Sequence, residues 1–216
     1  MPKSAYIHIP FCKSKCKYCS FISTVNIEQQ SEYINSLILE IEQSYKGEPL
    51  KTIYFGGGTP SLLLIESITS ILKNLKYNSE TEITFEINPD DVTLEYLKEL
   101  KSIGINRLSF GSQTFNDNLL SLIGRRHNSK QVLKAISLAK DCEYNNISVD
   151  LIYGLPEQNI NLLKNDLDII KSLEIQHVST YGLKIEEPSY FFYNLPQKIP
   201  NDDMQADMYI MINEYL

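Results

Sequence analysis

Cys12, Cys16 and Cys19 are the residues of this chain best equipped for chemistry: three thiols spaced C-x3-C-x2-C, directly after the strand-like run Ala5-Tyr6-Ile7-His8-Ile9. Thiolates are soft ligands suited to iron-sulfur clusters, and a [4Fe-4S] cube held by three of them has one iron without a protein ligand. Such an iron is open to chemistry. The spacing leaves two other readings standing. A structural zinc site wants four ligands and would have to recruit His8 or Cys142 from elsewhere. A disulfide framework wants an even set of cysteines in an exported chain, and nothing here suggests export.

The cysteines sit in the first of five sequence words: YIHIPFC at 6–12, GGGTPS at 56–61, FEINP at 85–89, RLSFGSQTF at 107–115 and VDLIYGLP at 149–156. With these words in this order the chain resembles radical SAM enzymes. Within them it is similar to the oxygen-independent coproporphyrinogen III oxidase family, including its heme chaperone branch. The likeness runs from Tyr6 to the last residue.

The resemblance implies a [4Fe-4S] cluster on Cys12, Cys16 and Cys19. It also implies contacts to S-adenosylmethionine from Tyr6, Tyr18, Gly57, Gly58, Thr59, Glu86, Gln113, Arg125, Asp150 and Lys184. The chemistry of these types suits the task. Carboxylates accept from hydroxyls or an ammonium, an arginine pairs with a carboxylate, and a tyrosine packs on an adenine. The glycine triplet lets backbone approach a ligand closely, although a tight turn before a helix near Pro60 or Ser61 would use it equally well. In the resembled family an electron donor reduces the cluster, S-adenosylmethionine is cleaved to methionine and a 5'-deoxyadenosyl radical, and the decarboxylating members act on coproporphyrinogen III.

One departure separates the branches. Decarboxylating members carry a further cysteine two positions after the third ligand, where this chain has Phe21. That resembles the heme chaperone branch, which implies heme as a ligand and a heme-receiving protein as partner. Coproporphyrinogen decarboxylation and a non-catalytic metal-binding module are the alternatives.

The elements that must position these residues alternate. Strand-like runs fall at 5–9, 51–55, 82–87, 106–110, 147–152 and 177–181, and apolar residues at helical spacing lie between them, as in Ile34, Ile38 and Ile41 or Leu163, Leu167 and Ile170. Repeated strand and helix argue for an α/β fold with a parallel sheet. Pattern alone leaves an open doubly wound sheet and a barrel nearly tied, and the resemblance implies a partial (βα)6 barrel of the TIM type. The expected organisation is a core over 1–185 and a loop plus the start of a C-terminal helix over 186–216. Asp202 and Asp203 open that helix, which carries Met204, Met208, Met211, Ile212 and Tyr215; the resemblance implies a further region beyond it.

Composition narrows the partners. The net charge is −7 and the sequence pI about 5.1, so general nucleic-acid binding is excluded, because phosphate contacts call for basic surface. No apolar run approaches a membrane span and no leader is visible, so a cytoplasmic protein is expected. Lys13, Lys15 and Lys17 interleave with the cysteines and read as a solvated loop, or as cations that stabilise thiolates. Arg125 and Arg126 read equally well as helix-end cations. Asn88 to Asp91 read as a turn, Cys142 as a plain thiol, His8 as packing beside the cysteines and His177 as a strand-edge residue.

Overall fold

The computed structural model of the chain describes residues 3–216. Six strands, β1 (Ser4–Ile9), β2 (Thr52–Gly57), β3 (Glu82–Ile87), β4 (Arg107–Gln113), β5 (Ile147–Tyr153) and β6 (His177–Gly182), pair in parallel in the order β1-β2-β3-β4-β5-β6. That order settles the topology. A doubly wound sheet reverses its strand order at a switch point and carries helices on both faces. A strictly sequential parallel order, with right-handed crossovers, places every helix on one face. The fold is therefore the six-unit partial barrel, with β1 and β6 as its free edges.

The crossovers are α1 (Gln30–Ser44), α2 (Ile65–Leu72), α3 (Leu94–Ser102), α4 (Asp117–Leu122), α5 (Ser129–Asp141) and α6 (Ile160–Ser172), followed by α7 (Tyr190–Tyr193) and α8 (Asp202–Tyr215). Asparagine starts four of them: Asn116, Asn128, Asn159 and Asn201 each accept a first-turn N–H, and Asn128 with Gln131 forms a reciprocal capping box. The stretch 190–200 contains the short helix α7, where the proline-interrupted sequence suggests only loop. Ser189 caps it, and Phe191 is buried beneath it.

Each strand sends alternate side chains to opposite faces. One face is the core: Ile7, Ile9, Ile53, Phe55, Phe85, Phe110 and Val149 are buried against Ile34, Ile68, Leu97, Ile136 and Leu167 of the helices. Met208 and Ile212 of α8 join the same cluster, while Met204 of that helix faces solvent. The other face is polar. Pairing aligns Tyr6, Tyr54, Thr84 and Arg107 in one row and Glu86, Ser109, Ser148 and His177 in the next. Among the described residues no helix covers it, and this face is the concave lining of the partial barrel.

A buried acid fastens the upper end of β4. Asp166 on α6 accepts from Thr114 Oγ1 at 2.7 Å and from the Phe115 N–H at 2.8 Å, just past Gln113. Burial pushes its carboxyl up to about 6, although both donors favour the charged form. A raised carboxyl favours the folded state below its unfolded value near 4 and loses that contribution as pH rises through 6. Asp166→Ala, which strands both donors, should cost about 3 kcal/mol in urea unfolding at pH 7. Asp166→Asn keeps an acceptor for Phe115 and should lose the pH term: from pH 7 to pH 5 the natural chain should gain about 1 kcal/mol relative to this variant.

Candidate active site

The loop after β1 is pinned at both ends by backbone hydrogen bonds. Thr24 N donates to Pro10 O at 2.7 Å and Cys12 N to Thr24 O at 2.9 Å, while Lys17 N reaches Ile123 O at 3.0 Å and Phe191 N reaches Lys17 O at 2.9 Å. Lys13 stays solvent-exposed along its stem but is not a free cation: it forms a 2.7 Å ion pair with Asp91, whose side chain is 4% exposed and also accepts from Ser61 Oγ at 2.9 Å. Arg126 pairs with Asp90 at 3.0 Å beside it. The turn at Asn88 to Asp91 is thus part of the frame that holds the cysteines.

Gly56, Gly57 and Gly58 each leave room for a different neighbour. A side chain at Gly56 would meet the rings of Tyr54 and Tyr6 and the carboxylate of Glu86, all within 3.0 Å. Gly57 has a φ of +117° and lies under the His8 imidazole, 2.6 Å from where a Cβ would stand. Gly58 lies against backbone, with Phe11 O only 2.8 Å from a Cβ position, and its N–H donates to Ile9 O at 2.8 Å.

The loop, the glycines and the strand ends enclose a cavity of about 600 Å³. Cys12, Cys16 and Cys19 line it, at the carboxyl ends of the strands where βα-barrel sites lie. So do Tyr18, Gly57, Gly58, Thr59, Glu86, Gln113, Arg125, Asp150 and Lys184. Tyr6 is the one expected contact that is off its wall: its ring stacks on Tyr54 with centroids 5.8 Å apart and is 59% exposed. Gln113 ends β4 with φ 69°, a left-handed turn that follows a register shift between β4 and β5.

Polar partners on this wall are specific. Thr59 Oγ1 lies 3.5 Å from Cys12 Sγ, and Arg125 Nη1 lies 3.6 Å from Cys16 Sγ. Glu86 accepts from Tyr54 Oη at 2.8 Å and from the Gly57 N–H at 3.2 Å; Asp150 accepts from Ser109 Oγ at 3.3 Å. Burial holds both carboxyls above their ordinary range, and it pushes the Cys19 thiol and the Tyr18 phenol up as well. Neighbouring His127 is driven down to about 3 by burial and by the Arg125 charge, so it is neutral, and its Nε2 faces Ser112 O at 3.2 Å.

Two side chains that brace the wall escape a reading by motif. Asn88 receives Arg125 Nη2 at 2.5 Å and itself donates to Thr59 Oγ1 at 3.3 Å; the word FEINP contains it, but its turn chemistry hides this role. Tyr54 is visible only as a strand residue. Arg125 is likewise no helix-end cation, since it turns inward to the cysteine loop.

The donor set fits an iron-sulfur cluster better than a single ion. Its three thiolates are the soft ligands that iron-sulfur clusters take, and they line one cavity. Neither candidate fourth ligand stands ready to complete a zinc site: Cys142 is buried at the end of α5 with its thiol near Leu94 O, and His8 Nε2 is engaged with Ile22 O at 3.0 Å. S-adenosylmethionine is matched by complementary groups on the same wall, namely two half-buried carboxylates with spare lone pairs and a buried Arg125 Nε that has no partner among the described residues.

Residues 6–170 match the radical SAM superfamily. The chain is 43% identical to the heme chaperone HemW of Bacillus subtilis (strain 168), over 97% of this chain and 59% of that protein. It is 33% identical to the heme chaperone HemW of Escherichia coli (strain K12), over 96% of this chain and 57% of that one. The solved coproporphyrinogen III oxidase HemN of Escherichia coli, a radical SAM enzyme, superposes with a TM-score of 0.89 at 26% identity, covering all of this chain and 52% of that one. The chain therefore spans less than two thirds of the length of these relatives. The archaeal Elp3 of Methanocaldococcus infernus shares the fold, with a TM-score of 0.68 at 16% identity over 97% of this chain and 53% of that one.

Gly58→Ala is the sharpest test of the frame, because its Cβ would press on backbone that no rotamer change can relieve. It should lower stability by about 1 to 3 kcal/mol, and it should reduce iron retained after anaerobic reconstitution. Gly47→Ala, at φ 80° but with open space around it, should leave iron retention at the level of the natural chain.

Proposed function

The chain belongs to the radical SAM superfamily, and from that premise we propose that it acts in heme metabolism as a heme chaperone of the HemW kind, holding a [4Fe-4S] cluster and S-adenosylmethionine. The observation that carries this reading is the convergence of three cysteines and nine side chains or glycines, from all six βα units, on one cavity. In this reading Cys12, Cys16 and Cys19 are the cluster ligands. A cluster with one iron free of protein ligands supplies, when bound, an electron to the sulfonium of S-adenosylmethionine.

The chain's own residues bind and orient. Glu86, held by Tyr54 and Gly57, and Asp150, held by Ser109, accept hydrogen bonds from the ammonium or ribose hydroxyls of S-adenosylmethionine. Arg125 offers its free Nε to the cofactor carboxylate, Tyr18 packs on the adenine, and Thr59 fixes Cys12. Gln113 and Lys184 complete the wall, and Tyr6 acts indirectly through Tyr54. The physiological setting proposed is the cytoplasm, with an electron donor and a heme-receiving protein as partners. Among the described residues no helix is long and apolar enough to cross a membrane.

A second reading, oxidative decarboxylation of coproporphyrinogen III, draws support from the likeness to HemN in structure. Against it stands Phe21, which occupies the position of the additional cysteine and is 69% exposed at the cavity. Electron paramagnetic resonance of the anaerobically reconstituted, dithionite-reduced chain should give a [4Fe-4S]+ signal that changes on adding S-adenosylmethionine. Cys16→Ala should lose the cluster and Cys142→Ala should keep it; equal loss in both would assign the ligands wrongly. Heme should bind with a new Soret band, and coproporphyrinogen III should not be turned over. Stoichiometric decarboxylation would favour the oxidase, and a colourless protein with one zinc would leave a non-catalytic metal module.

A further inference from the structure

Arg125 lies between α4 and α5, 109 residues along the chain from Cys16, yet its side chain ends at the cysteine sulfur. Two anchors aim it. Nη2 donates to Asn88 Oδ1 and to Gly111 O, each at 2.5 Å, and this leaves Nη1 pointing at Cys16 Sγ, 3.6 Å away. Asn88 is in turn tied to Thr59, so the arginine is braced by the ends of β2, β3 and β4.

Among the described residues Arg125 has no carboxylate within ion-pair distance; the adjacent Asp90 is engaged by Arg126. A half-buried guanidinium without an acid partner is a positive charge held in place by neutral oxygens. The nearest group that becomes anionic when it binds metal is the Cys16 sulfur. Hydrogen bonds and charge at cluster sulfurs are the means by which a protein sets cluster potentials.

We propose that Arg125 is a positioning residue that raises the reduction potential of the cluster, through its N–H and its fixed charge at Cys16. The inference rests on the cluster assignment above but not on the chaperone role. Reduction adds one electron from the external donor with no bond made or broken, so the total charge of the cluster with its thiolates becomes more negative by one. A cation fixed beside one of them favours that reduced form. A midpoint measured without S-adenosylmethionine reads the effect on the cluster apart from any contact with the cofactor, so the two roles are separable by experiment.

Potentiometric titration followed by electron paramagnetic resonance, without S-adenosylmethionine and with iron and sulfide content matched between samples, tests the proposal. Arg125→Gln should shift the midpoint to lower potential, and Arg125→Lys, which keeps the charge but not the fork, should fall between it and the natural chain. Asn88→Ala retains the arginine and removes one anchor, so it should shift the midpoint the same way by less. If Arg125→Gln fails to hold a cluster, Asn88→Ala decides the matter. Unchanged midpoints, with S-adenosylmethionine affinity alone reduced, would overturn the proposal and leave Arg125 a cofactor contact only. A natural chain that takes up no cluster defeats the cluster assignment itself, and this inference with it.

Discussion

The contact on which the site depends is backbone against backbone. Gly58 rests on Ile9 to Phe11 so closely that no Cβ fits, and its N–H holds Ile9 O. This fixes where β1 ends and therefore where Cys12 begins. A side chain there would lift the loop from the strand ends, and the three thiols would leave the wall that carries Glu86, Asp150 and Arg125. The ion pair of Lys13 with Asp91 and the hydrogen bonds at Lys17 hold the remainder of the loop, but they act on a loop whose origin is already set.

The sheet supplies the wall because its two faces differ in chemistry. Sequential parallel order puts the helices on one side, and burial there selects Ile, Phe, Val and Leu. The uncovered side can keep Tyr54, Thr84, Glu86, Arg107, Ser109, Ser148 and Asp150, since these bond to one another and to the cavity. A closed eight-unit barrel would fill this space with packed side chains. Six units leave it open, and the cavity is that opening.

Electrostatics divide the cavity. Acids on β3 and β5 are held by neutral donors at one wall, while Arg125, braced by neutral acceptors, faces the thiols at the other. Neither side neutralises itself internally, which is expensive in a folded chain unless a bound charge completes it. His127 stays neutral beside Arg125 and so adds no competing cation.

Much of this was legible in the amino-acid order. Six strands and the stripes of α1 and α6 follow from local periodicity, which depends on residues two to four apart. The cysteine loop and the glycine, Glu86 and Asp150 words could be placed at strand ends for the same reason. What only the tertiary structure decided is what depends on distant pairing. Strand order settled a barrel over a doubly wound sheet, because sequence periodicity is identical in both. Lys13 found Asp91, Arg125 found Cys16, and Asn88 keeps its expected turn and also becomes a brace, each through partners tens of residues away. Tyr6 moved off the cavity wall because stacking on Tyr54 holds it at Gly56. Hydrogen bonds and ion pairs act over about 3 Å, and no spacing along a chain reveals which residues come within that distance.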